Sequence, residues 1–237
     1  MQTLADVMLE LERLGTEQTR RTLACHGAPV DRTFGVKIGD MKPILKKIKG
    51  RQELALELYD TGNSDAMYLA GLVANGALMT KEQLDSWARR ALWSMISDFT
   101  VPGVASESPF AAELAEAWIG ATQPSVASSG WMTWAAIVAT RLDEQLDLKA
   151  LERLLKHVVS EIHDSPNGVR SAMNGFVISV GGYVLPLQKK ALEAAKKIGK
   201  VEVDVGDTAC KVPLALEYID RMIAHGNAGK KRKTVKC

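Results

Sequence analysis

Between Leu151 and Ile162 the apolar residues fall at Leu151, Leu154, Leu155, Val158, Val159 and Ile162. Only one face of an α-helix accounts for that spacing. The same period recurs almost end to end, and it constrains the fold more than any other feature of this chain. It predicts helices over residues 4–14, 16–25, 41–49, 53–59, 65–74, 81–93, 109–119, 131–142, 148–163, 169–184, 187–198 and 214–223. Pro43 is expected in the first turn of its helix, where a missing N–H costs little. The stretch KVEVDV (200–205) alternates, but it is short and alone, so it reads as an extended linker. The expected fold is all-α, with no sheet of three or more strands. Helix pairs recur roughly every 35 to 45 residues, the size of a HEAT-type unit. Such pairs cannot bury their apolar faces singly, and stacking them gives a curved solenoid with a concave inner surface. A compact helical bundle satisfies the same periodicity.

Charge divides the chain unevenly. The net charge is +2, yet the ending GKKRKTVKC holds five basic residues and no acid, which leaves −3 on residues 1–228. The expected division is therefore a helical body, 1–228, and a flexible basic tail, 229–237, since so dense a charge run buries little apolar surface. Any phosphate binding must come from local patches and from this tail, through Lys230, Lys231, Arg232 and Lys233. No apolar run approaches the roughly 20 residues of a membrane span. The first residues lack the basic and apolar regions of a signal peptide. Cys25, Cys210 and Cys237 are odd in number and scattered, as in a reduced cytoplasmic protein without disulfides. The four histidines are equally scattered, so neither a metal nor a cofactor is expected. A monomer is expected.

All five tryptophans lie between Trp87 and Trp134. If residues 81–93 form one helix, Leu84, Trp87, Ala88, Ala91 and Leu92 make its buried stripe and Trp93 stands opposite, beside Arg89 and Arg90. An aromatic ring flanked by guanidinium groups suits a nucleic-acid surface, where arginines meet phosphates and the ring meets a base or sugar. A second helical layer burying Trp93 is the plainer alternative. Basic residues recur at helical spacing as Lys42 with Lys46, and as Lys189 and Lys190 with Lys196 and Lys197. Each alone reads as solvated surface; together they could line one groove. Trp131 and Trp134 share a stripe with Ala135, Val138 and Leu142, which favours core packing, while Ser128, Ser129 and Gly130 before them could offer a helix start to a phosphate. Asp98, in LWSMISDFTV, is a candidate carboxylate. Asn174, in VRSAMNGF, is a polar residue in an apolar helix that either bonds inside the core or reaches the groove.

The segments FGVKIGDMKPILKKIK (34–49), ELALELYDTGNSDAMYLAGLVA (53–74), LWSMISDFTV (92–101), SSGWMTWAAIVA (128–139) and VRSAMNGFVISVGGYV (169–184), taken in order, resemble the DNA alkylation repair family. The resemblance spans about residues 1–225 and implies HEAT-like repeats with a concave basic groove that holds duplex DNA; the expected partner is DNA, duplex or branched. Enzymatic members are glycosylases that remove N3- or N7-alkylated purines. They use an Asp after a Trp pair, an Arg on the next repeat and a later Trp. A carboxylate there stabilises the positive sugar that develops as the base departs, and aromatic faces attract the cationic nucleotide. The Asp position corresponds to Asp98 or Thr100, the Arg position falls on or near Trp134, and the later Trp falls near Gly175–Phe176. At most one catalytic group is kept, which implies DNA binding with weak or no base excision. An active glycosylase built on Asp98 and a protein-interaction scaffold are the alternatives.

Overall fold

Polar residues cut the chain into helices. Thr3 accepts a hydrogen bond from the backbone N–H of Asp6, whose carboxylate accepts one from Thr3 N–H at 2.8 Å, a reciprocal cap that starts the first helix. Thr80 with Gln83 repeats the device, and Asn63 and Asp147 cap two further starts with their side-chain oxygens. The computed structural model describes residues 2–236, and among them there is no strand. In order come α1 (Leu4–Leu14), α2 (Glu17–Cys25), α3 (Ile38–Ile48), α4 (Gln52–Asp60), α5 (Ser64–Val73), α6 (Lys81–Arg89), a π-helical turn (Met95–Thr100), α7 (Val101–Ala105), α8 (Ala111–Ile119), α9 (Pro124–Thr140), α10 (Leu148–Glu161), α11 (Asn167–Tyr183), α12 (Gln188–Ile198) and α13 (Ala215–Ala224).

The helices stack in two layers. An inner layer runs α3, α5, the π turn with α7, α9, α11, α13, each packed on the next; α4, α6, α8, α10 and α12 form the outer layer. Two apolar clusters fill the space between, one from Val7 to Val126 and one from Ala111 to Ile219. Polar bonds between neighbouring pairs join residues about one repeat apart. Ser129 Oγ donates to Ser97 O (2.7 Å, 32 residues apart), Trp118 Nε1 to Asp85 (2.9 Å, 33 apart) and His163 Nε2 meets Ile198 O (3.0 Å, 35 apart). Ion pairs stitch the outer layer in the same rhythm: Asp60–Arg90, Lys81–Glu113, Glu116–Arg153 and Glu152–Lys190. This stacked order is a solenoid, not a bundle.

Several boundaries differ from expectation. The helix holding Trp131 begins at Pro124, seven residues early, so Ser128, Ser129 and Gly130 lie in mid-helix and are buried, away from any phosphate. Their smallness serves packing: a Cβ on Gly130 would stand 2.6 Å from Ile119 N, so only glycine lets α9 close on α8. Helix α6 stops at Arg89, and Trp93 lies beyond it. Helix α3 begins at Ile38, which puts Pro43 inside rather than in the first turn.

The chain then crosses the inner layer twice. Residues 199–214 run past the start of α11, where Asn167 exchanges two 2.7 Å bonds with Asp204, to reach Cys25 and His26 at the C-terminal end of α2. The basic tail is also laid against the body rather than free. Gly229, at φ +75° and against Leu185, donates to Gly182 O (2.8 Å). Arg232 N donates to Ala139 O (2.8 Å). Lys231 Nζ donates to Val138 O (2.9 Å) and pairs with Asp143 (2.8 Å). Lys236 Nζ donates to Ala74 O (2.6 Å) and pairs with Glu107 (2.8 Å). These partners lie at the C-terminal ends of α11, α9, α5 and α7. The carbonyls there lack helical partners and carry the negative pole of the helix dipole, so lysines bind them well. The expectation of a flexible tail rested on charge density, which says nothing of acids and carbonyls supplied by remote helices.

Candidate functional site

The residue around which a site can be built is Asp98. The π turn that carries it inserts a wide coil into the inner layer, a device frequent at functional sites. Two hydroxyls fix it. Ser97 Oγ donates to Asp98 Oδ1 at 2.6 Å, and Ser129 of α9 holds the Ser97 carbonyl. The carboxylate is recessed but reachable. It lines two cavities of about 500 Å³ each, one toward each crossing segment. No cation stands beside it among the described residues, and burial, opposed only by the Ser97 hydroxyl, pushes its pKa up to about 6. At neutral pH it is therefore mostly ionised, and costly to keep so.

The cavity on the side of 203–210 is polar-edged. Trp93, Ser94 and Asp98 face Asn167, Gly168 and Ser171 at the start of α11, with His26 and Cys210 at the rim. The cavity on the tail side is mostly apolar, between Phe99, Met132, Ile178, Tyr183 and Tyr218, with Arg232 and Val235 on its edge. Phe99 is 56% exposed and Tyr218 43%, so this face of the inner layer presents aromatic rings to solvent.

Of the two positions open for the carboxylate, the geometry separates Asp98 from Thr100, which is buried with its hydroxyl on Met95 O. The other expected groups do not reach the groove. Trp131 is 1% exposed against His157 and Phe176, Trp134 is 5% exposed, and Asn174 is 1% exposed. Asn174 donates to Pro213 O (2.9 Å) and so tethers the segment leading into α13. These three were candidate DNA contacts; helical packing on both sides of α9 and α11 makes them interior. Phe176 is fully buried and Gly175 packs on Met132.

Trp93 does not share a face with the arginines. It is half-buried, its Nε1 enclosed without a partner. Arg89 pairs with Asp85 (2.6 Å), which Trp118 also holds; Arg90 pairs with Asp60 (2.7 Å) and lies over the Tyr59 ring. The lysines are dispersed too. Lys190 and Lys197 edge a cavity between α10 and α12 in the outer layer, with Lys190 paired to Glu152. Lys189 and Lys196 are exposed on that same helix, and Lys42 and Lys46 on α3, at the other end of the solenoid. None of these last four has an ion pair among the described residues. Lys230, Arg232 and Lys233 are exposed along the tail, likewise without one. No single basic groove collects these cations.

Sequence reasoning missed the two crossing segments and the caps made by Lys231 and Lys236. No local signal marks them, because their partners are 93 and 162 residues away.

Comparison with known proteins extends this picture. The DNA alkylation repair enzyme family matches residues 7–219. Uncharacterized proteins of Listeria monocytogenes and Listeria innocua are each 35% identical over 226 residues, covering 93% of this chain and 97% of theirs. A solved structure superposes over all of both chains with a TM-score of 0.91 at 39% identity. It is described as a new family of proteins related to the HEAT-like repeat DNA glycosylases, with affinity for branched DNA structures.

Proposed function

Because this chain belongs to the DNA alkylation repair family, we propose that it binds DNA, branched DNA in particular, across the inner layer of its solenoid, and that it excises alkylated bases weakly or not at all. One observation carries the second half. Asp98 is the recessed carboxylate of the groove, with the exposed Asp204 on the same cavity, while the positions expected to supply an Arg and a second Trp fall at or near Trp134 and Phe176, both inside the core. A glycosidic bond breaks through a positively charged sugar, and each missing preorganised group costs about 10²–10³ in rate. The first half is supported by the likeness to a structure of a protein with affinity for branched DNA, and by exposed aromatic rings beside Arg232, with Lys230 and Lys233 exposed on the same tail. Phosphate contacts need only those cations, and unstacked bases at a branch need an aromatic face. The residues proposed to contact DNA are Trp93, Phe99, Lys42, Lys46, Lys230, Arg232 and Lys233.

The test is binding to linear, nicked and four-way DNA across a salt series, beside single-turnover release of N3-methyladenine from duplex DNA. Tighter binding to the branched form, with release near the spontaneous rate, is expected. A second reading, an active glycosylase, rests on Asp98 being fixed by two hydroxyls at an open groove. Robust release by the wild type, abolished in Asp98→Asn, would establish that reading instead.

A further inference from the structure

The five cations of the tail are not equivalent. Lys231 and Lys236 turn inward: their side chains are 13% and 15% exposed, each on a helix-end carbonyl and an acid. Lys230, Arg232 and Lys233 turn outward and have no ion pair among the described residues. Backbone bonds from Gly229, before the first docked lysine, and from Arg232, between the two, hold the chain against α11 and α9. Arg232 thereby edges the same cavity as Asp98 and Tyr183. The free cations thus stand on an anchored segment along the inner layer, close to the aromatic face.

We propose that residues 229–236 form a docked strap, in which Lys231 and Lys236 fasten the chain to the ends of α9 and α5 so that Lys230, Arg232 and Lys233 form a preset row for consecutive DNA phosphates. The inference rests on the DNA-binding reading and gives that site its principal phosphate contacts. A preset row loses less conformational freedom on binding than a disordered tail, which must order itself at that moment. It also has a fixed position relative to the groove, so it orients the DNA as well as attracting it.

Two variants separate the strap from a flexible polycation. Lys230→Ala/Arg232→Ala/Lys233→Ala removes the outward charges and leaves the docking lysines in place. Three lost phosphate contacts reduce the slope of log K against log salt by about 2.7 on a four-way DNA junction. Asp143→Asn/Glu107→Gln removes the acids that hold the lysines and leaves every tail cation in place, raising the net charge by two. A flexible polycation then binds DNA more tightly. A docked strap binds more weakly, because its anchors are loosened, and hydrogen exchange at the Arg232 amide speeds up. An unchanged salt slope in the triple variant overturns the proposal, and so does equal or tighter binding by the acid variant. If the wild type binds none of the DNA forms while the Arg232 amide is protected, the DNA-binding reading fails and the docking alone survives. Slow exchange at Arg232 in the wild type is required throughout; fast exchange there overturns the strap itself. Circular dichroism on both variants verifies that the helices persist.

Discussion

Replacing Asp98 by Asn should make the protein more stable, and the gain should depend on pH. The carboxylate has no cation beside it among the described residues, and burial lifts its pKa from an ordinary 3.8 to about 6. A folded-state pKa above the unfolded one means that the folded chain holds the proton more tightly. Below pH 3.8 both states are protonated and nothing is lost. Between pH 3.8 and about 6 the unfolded state ionises first, and stability falls as pH rises. Above pH 7 the whole cost is present. Two pKa units at 1.36 kcal/mol each give about 3 kcal/mol as a ceiling. Solvent reaching the groove floor screens part of it, leaving about 1–2 kcal/mol. Asparagine is nearly isosteric, has no charge to desolvate and still accepts from Ser97. In a chain of this size 1 kcal/mol moves Tm by about 2–4 °C. Differential scanning calorimetry at pH 7.5 should show Asp98→Asn melting about 3–6 °C above the wild type, on that scale. The gap should narrow through pH 6 and 5 and close near pH 4. A gap that does not vary with pH, or a variant that melts lower at pH 7.5, would refute the reasoning, because the carboxylate would then be well solvated or well paired. A group kept against its own stability cost belongs to function more readily than to structure.

Three further outcomes can be checked on stability alone. Deleting residues 230–237 should lower Tm by several degrees, because it uncaps α9 and α5 and leaves Asp143 and Glu107 without their lysines; an unchanged melting curve would show the tail to be an appendage. Asp65→Ala should cost about 3–5 kcal/mol in urea unfolding: the buried carboxylate accepts from the backbone N–H groups of Phe34, Gly35 and Val36 at 2.7, 3.1 and 2.9 Å, and each orphaned donor costs about 1–3 kcal/mol. A loss under about 1 kcal/mol would mean that water replaces the carboxylate. Gly130→Val should cost about 3 kcal/mol by forcing α9 off α8, whereas Gly39→Ala, with open space around it, should be nearly neutral by the same assay.

Local pattern made most of the helices legible, and global docking hid the rest. The stripe from Leu151 to Ile162 is read directly, because a helix face needs only its own residues. Asp98 could be singled out as a carboxylate near the tryptophans, but a two-residue shift against the family's stretch left its position open between Asp98 and Thr100, and the 3.6-residue period gives no sign of the π turn that carries both. Trp93 was misplaced for a related reason: periodicity runs on past Arg89, while the chain stops there as Arg90 turns to Asp60 and Tyr59. Pro124 as a helix start was overlooked because Ser128, Ser129 and Gly130 look like a loop until α8 is seen lying against them. The docked tail lay beyond any local reading, since charge predicts what a segment avoids and not which remote carbonyls will receive it.

The two segments that cross the inner layer change how the molecule comes apart. A plain stack of helix pairs, tied only to its neighbours, unravels from its ends, each terminal pair at its own free energy. Here Lys236 bonds across 162 residues and Cys210 contacts His26 across 184, so segments late in the chain reach back to the early repeats. Those long loops slow final assembly, since their closure entropy must be overcome before any contact rewards it. Once made, they couple the two ends: fraying the first repeats breaks bonds held by the last. The array then melts closer to one cooperative transition, and the spacing between its ends is held at a set length, as a bowstring holds the bend of a bow.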